Sequence, residues 1–83
     1  MFTLLGTDDC HLCDLAKGIV VQEAEVQPIA VYLEDISESP ELIEQYGIRI
    51  PVMRHDDTGR ELDWPFDRVK LHQWLTAFIH NTQ

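Results

Sequence analysis

Two short stretches of the chain are almost wholly apolar, Met1-Phe2-Thr3-Leu4-Leu5 and Ile29-Ala30-Val31-Tyr32-Leu33, and each has the length of a strand. The second is apolar on both faces, so it is expected at the centre of a sheet or under good cover. Between them, Leu12, Leu15, Ala16, Ile19 and Val20 recur at i, i+3, i+4, i+7 and i+8, the stripe of an amphipathic helix. This helix should run to about Glu25, ahead of Pro28, with Gly18 marking a close helix–sheet contact. Strand, helix and strand in this order make a right-handed βαβ unit with parallel strands.

Further on, Ser39-Pro40-Glu41 opens a helix, with serine as N-cap, proline at the first position and an acid in the first turn. Leu42, Ile43 and Tyr46 give it a buried face and Gly47 ends it. A third strand, Ile48 to His55, carries Pro51 near its start. Asp56-Asp57-Thr58-Gly59 supplies a turn, and Arg60 to Asp63 returns as an antiparallel partner. Asp67 caps a last helix whose stripe is Leu71, Trp74, Leu75, Phe78 and Ile79. Phe66 before the cap and Leu71 at the fourth helical position form a hydrophobic staple. The order is βαβαββα, an α/β domain over residues 1–83.

Composition adds charge and two thiols. Fifteen acids against six bases give a net charge of −9, which argues against nucleic acid or an anionic membrane surface as partner. No apolar run is long enough to span a membrane, and no basic-then-apolar leader is visible, so the expected compartment is the cytoplasm. There a cysteine pair is catalytic or metal-binding more often than structural.

Cys10 and Cys13 are the only cysteines, spaced Cys-x-x-Cys where the first strand gives way to the first helix. Unpaired N–H groups and the helix dipole at that point favour a thiolate, the nucleophilic form. Cys10 lies at the exposed mouth and Cys13 one turn in, on the same face. Asp9 suits the role of N-cap to a helix beginning at Cys10. The charges of Asp8 and Asp9 oppose a thiolate, whereas a protonated His11 favours one, so Asp9 and His11 are candidate modulators of the dithiol. A structural zinc site would need four ligands, drawn also from His11, His55, His72 or His80, and none of these is paired at finger-like spacing. Strand, Cys-x-x-Cys and helix together favour a redox dithiol over a metal site or an inert pair.

With Ile50-Pro51-Val52 leading into the third strand, the motif and element order resemble the thioredoxin superfamily. The short chain is most similar to its glutaredoxin branch, and within that to small bacterial glutaredoxin-like proteins with a Cys-His-Leu-Cys motif. The resemblance implies a mixed four-stranded sheet in order 2-1-3-4 with helices on both faces. It implies Cys10 as attacking and Cys13 as resolving cysteine. It also implies Pro51 as a cis proline beside the dithiol, which would turn Ile50 outward to pair its N–H and C=O with an extended substrate. The chain departs from glutaredoxins in several places. His11-Leu12 replaces Pro-Tyr, Asp8-Asp9 stands where a lysine is usual, and Trp64-Pro65-Phe66 replaces Gly-Gly before the last helix. Arg49 and Asp67 are the candidates for glutathione's carboxylate and amino ends.

The function expected is thiol–disulfide exchange by a monomer without organic cofactor, on a disulfide-containing protein or peptide in preference to glutathione mixed disulfides, glutathione being a possible co-substrate. Two rivals are a non-catalytic binding module of the same fold and an iron–sulfur or metal carrier using Cys10.

Overall fold

The structure, a computed structural model, describes residues 1–79. The chain forms β1 (Phe2–Gly6), α1 (His11–Ala24), β2 (Val31–Asp35), a 3-10 turn (Ile36–Glu38), α2 (Pro40–Tyr46), β3 (Val52–His55), β4 (Glu61–Asp63) and α3 (Arg68–Ile79). The side chain of Ile79, assigned above to the last apolar stripe, and His80 lie outside the described residues. The strands make one mixed sheet in the order β2-β1-β3-β4. β1 runs parallel to β2 and antiparallel to β3, and β3 is antiparallel to β4. This is an α/β fold of the thioredoxin kind.

β1 is buried on both faces, and its alternation divides the core into two layers. Phe2 and Leu4 point one way and meet Met53, Ala16, Val20, Phe66, Leu71 and Leu75, so α1 and α3 cover that face. Leu5 points the other way, to Val52, Ile36 and Tyr46, with Leu42 and Ile50 against them. Among the described residues, α2 is therefore the one α-helix on the second face, together with the 3-10 turn. It starts as its sequence dictates, with Ser39 Oγ accepting the N–H of Leu42 and Pro40 in the first turn. The turn into β4 closes through Gly59, whose φ of 76° is the left-handed conformation that glycine adopts without a side-chain clash.

Four expectations are corrected by the packing. β2 is an edge strand, and Tyr32 and Leu33 are exposed. Among the described residues, β1 is its only strand neighbour, so an apolar run expected at the centre or under good cover meets solvent along one side. The buried face of α1 is Cys13, Ala16, Val20 and Glu23, whereas Leu12 and Leu15 are 44% and 47% exposed. The helix is rolled toward Cys13 and Glu23, two positions that a hydrophobicity pattern does not count. Gly18 is exposed with nothing near it, so it marks no close contact. Ile43 is likewise exposed, leaving Tyr46 as the buried residue of α2.

Glu23 can occupy the α1–α3 interface because its charge is answered there. It is 1% exposed. One carboxylate oxygen accepts Arg68 Nε and Nη2 at 3.2 and 3.0 Å, and the other lies 2.6 Å from His72 Nδ1. Burial pushes its carboxyl up, but the hydrogen bonds from His72 and Arg68, with their charges, outweigh it and hold the group below the usual range.

Candidate active site

β1 ends at Gly6, a short turn carries Asp8 and Asp9, and α1 begins at His11. Cys10 is thus the N-cap itself, in extended conformation (φ −105°, ψ 109°), and its Sγ accepts the N–H of Cys13 at 3.1 Å. This corrects the capping role expected of Asp9. The helix starts one residue later, and a sulfur holds the place of a carboxylate. Asp8, Asp9, His11 and Leu12 are all exposed around it.

Cys10 and Cys13 form a disulfide with Cα atoms 5.1 Å apart. Cys13 is only 8% exposed, while Cys10 is half-buried and the more accessible of the two. Behind Cys13 the strand comes so close that a Cβ on Gly6 would lie 2.9 Å from its Sγ and 3.1 Å from its Cβ. Glycine is what lets α1 sit on β1 at this point. Gly6 has a part in the site that sequence reasoning missed, although a glycine directly before the motif was the available signal.

The antiparallel register pairs Leu5 with Val52, so Pro51, just before Val52, leads into β3 at the end of the sheet where β1 gives way to the motif. Pro51 is buried and its bond to Ile50 is cis, as is Trp64–Pro65. The Pro51 carbonyl accepts the Trp64 N–H at 3.2 Å. Trp64 is half-buried against the α1/α3 core, with its ring edge-on to that of buried Phe66 at 5.0 Å. The loop aromatics close the core.

The other candidate residues are placed differently from one another. The Ile50 N–H already donates to the Tyr46 carbonyl at 3.0 Å, because the chain leaving α2 keeps turning. Of the two backbone groups expected to face substrate, only the carbonyl is left for pairing. Arg49 reaches Asp63 through Nε and Nη2 at 3.1 and 2.7 Å, and Glu61 at 2.5 Å. These bonds raise the Arg49 pKa further and hold both carboxyls low, that of Glu61 against the upward push of burial. Asp67 Oδ1 accepts the Lys70 N–H at 2.8 Å as cap of α3. Arg49 thus belongs to the α2 face of the sheet and Asp67 to the α3 face, and each has a structural partner of its own.

On the flank of α1 away from α3, a cleft of about 210 Å³ opens between α1 and the ends of β1 and β2. Leu4, Leu33 and Cys13 line it with Lys17, and Asp8, Asp14 and Asp35 bring three carboxylates, while Glu34, in register with Leu5, turns its side chain to the other face. It depends on the pairing of Gly6 with Asp35, which no local pattern announces. Among the described residues, no group of three or more His, Cys, Asp and Glu side chains is arranged to hold a metal ion. Nor is any helix among them long and apolar enough to cross a membrane.

An accessible sulfur at a helix mouth, joined to a buried one a turn away, is a two-electron redox pair of the thioredoxin type. Comparison with known proteins agrees with this geometry. The chain is similar to Northeast Structural Genomics target protein XcR50 from X. campestris. The X-ray structure of that protein is 43% identical over 93% of this chain and 97% of that one, with a TM-score of 0.82. The solution structure of the same target gives 43% identity, 92% coverage of both chains and a TM-score of 0.77. No functionally curated protein shows significant similarity. Residues 1–76 match the family described as Glutaredoxin-like domain (DUF836), and the chain belongs to that family.

Proposed function

We propose that the protein is a thiol–disulfide oxidoreductase in which Cys10 attacks and Cys13 resolves. The observation that carries this reading is the cap: Cys10 Sγ accepts an N–H at the start of α1 while its partner sulfur is buried behind it. That hydrogen bond and the helix end stabilise charge on sulfur, so the reduced pair reacts through a Cys10 thiolate.

The Cys10 thiolate attacks one sulfur of a substrate disulfide. The substrate S–S bond breaks, the departing sulfur takes up a proton, and a mixed disulfide to Cys10 remains. Cys13 then loses its proton and attacks Cys10 Sγ, releasing the second substrate sulfur as a thiol and closing Cys10–Cys13. Two electrons have passed from dithiol to substrate, and an external thiol, glutathione or a reductase, restores them. Both sulfurs come from one chain, so a monomer suffices. Ile50 would meet an extended substrate through its carbonyl beside Pro51.

The test is to mix the reduced protein with a peptide disulfide. Cys13→Ser should accumulate a mixed disulfide visible as a mass adduct at Cys10, and Cys10→Ser should form none. A wild-type protein that exchanges with no disulfide, or a trap formed through Cys13, would refute the assignment.

A further inference from the structure

The surface around the accessible sulfur combines apolar contact with uncompensated negative charge. Leu12 and Leu15 stand exposed immediately after Cys10. They lie on the flank of α1 opposite the cleft, since Asp14 and Lys17 line the cleft and successive residues turn by about 100°. On the cleft side, Leu4 and Leu33 give an apolar lining, and carboxylates outnumber the single base. The arginines elsewhere do not offset this. Arg49 is held by Glu61 and Asp63, Arg54 by Asp56, and Arg68 by Glu23. The remaining arginine, Arg60, lies over the Phe78 ring beside His55, at the end of the sheet away from Gly6, so an anionic substrate such as glutathione meets mainly acids at this site.

We infer that the substrate is a disulfide in a basic segment of a partner protein. An apolar residue next to the partner's cysteine lies on Leu12 and Leu15. A Lys or Arg side chain enters the cleft with its aliphatic stem on Leu33 and its charged head among the carboxylates. The inference deepens the exchange activity proposed above and rests on it; the bond-making steps are the same. The acids select the partner mainly by steering its approach, so the preference depends on salt.

The experiment uses the reduced wild-type protein and three peptide disulfides with the same apolar core, flanked by Lys and Arg, by Ser and Gln, or by Glu. A glutathionylated neutral peptide and the small neutral 2-hydroxyethyl disulfide complete the set. The second-order rate for the cationic peptide should exceed that for the anionic one at least tenfold at about 0.05 M salt, and the ratio should shrink several-fold near 1 M. In Asp8→Asn/Asp14→Asn the same ratio should fall toward one; as an internal ratio, it is independent of the variant's overall rate. Equal rates for the three peptides, or fastest turnover of the anionic or glutathionylated one, overturn the inference and leave exchange chemistry standing. Failure to react with every disulfide, the small neutral one included, overturns the exchange chemistry itself.

Discussion

The two sulfurs of the motif differ in what surrounds them. Cys10 stands where a serine or aspartate caps other helices, accepting an N–H at a dipole end that stabilises charge. Cys13 is enclosed by α1 and β1 with little access to water. After reduction and brief iodoacetamide treatment, peptide mass spectrometry should find Cys10 labelled at least tenfold faster than Cys13. Preferential labelling of Cys13 would reverse the roles. Glu23 carries a second prediction at this scale. Glu23→Ala removes a buried acceptor and leaves Arg68 and His72 without their partner. Both of these are about half exposed, so water re-solvates them and the loss in urea unfolding should be about 1–3 kcal/mol, below that for a fully buried pair.

Among the elements, β1 and α3 were legible because their apolar spacing agrees with their packing, and α2 through its cap, although Ile43 of its expected buried face is exposed. Ser39-Pro40 and Asp67 cap as their residue types require, and Phe66 and Leu71 meet in the core as the staple pattern has it. α1 was misread by part of a turn, since a cysteine and a glutamate supply half of its buried positions. The glutamate is buried only because α3, about fifty residues on, brings Arg68 and His72 to it. β2 was misread because an apolar strand looks the same from its own sequence at an edge or a centre. The dithiol was legible from its spacing together with its place between a strand and a helix, whereas the cleft beside it depends on β2 register. Gly6 is the joint between α1 and β1. Gly6→Ala places a methyl group against Cys13 Sγ, and overpacking of this kind costs about 1–3 kcal/mol. Chemical unfolding should show that loss, and the reduced variant should alkylate at an altered rate because its dithiol is displaced. An unchanged midpoint would show that α1 yields without cost.

Over the whole molecule the paired carboxylates set the response to acid. Glu23, Glu61 and Asp63 all have lowered pKa values in the folded state. Their pairings contribute fully above the ordinary values, 4.5 for glutamate and 3.8 for aspartate. The contribution is lost as pH falls through the depressed values. Urea midpoints should therefore drop steeply between about pH 4.5 and pH 2, and Glu23→Gln should lose less over that interval than wild type. A wild-type midpoint that stays level to pH 2 would contradict these pairings. At neutral pH the net charge of −9 makes added salt stabilising through screened self-repulsion.

Gly6 behind Cys13 also decides which sulfur travels. Opening the disulfide requires the two sulfurs to separate, and on the Gly6 side Cys13 backs directly onto the strand, which blocks its movement in that direction. The larger displacement falls on Cys10, the less buried of the two. The pair works as a latch, with a fixed plate in α1 held against the sheet and a moving tongue at the helix mouth. Between oxidised and reduced protein, backbone and Cβ chemical shifts should change most at Asp9, Cys10 and His11 and fade before Ala16. Changes as large at Gly6 as at Cys10 would mean that the plate moves with the tongue.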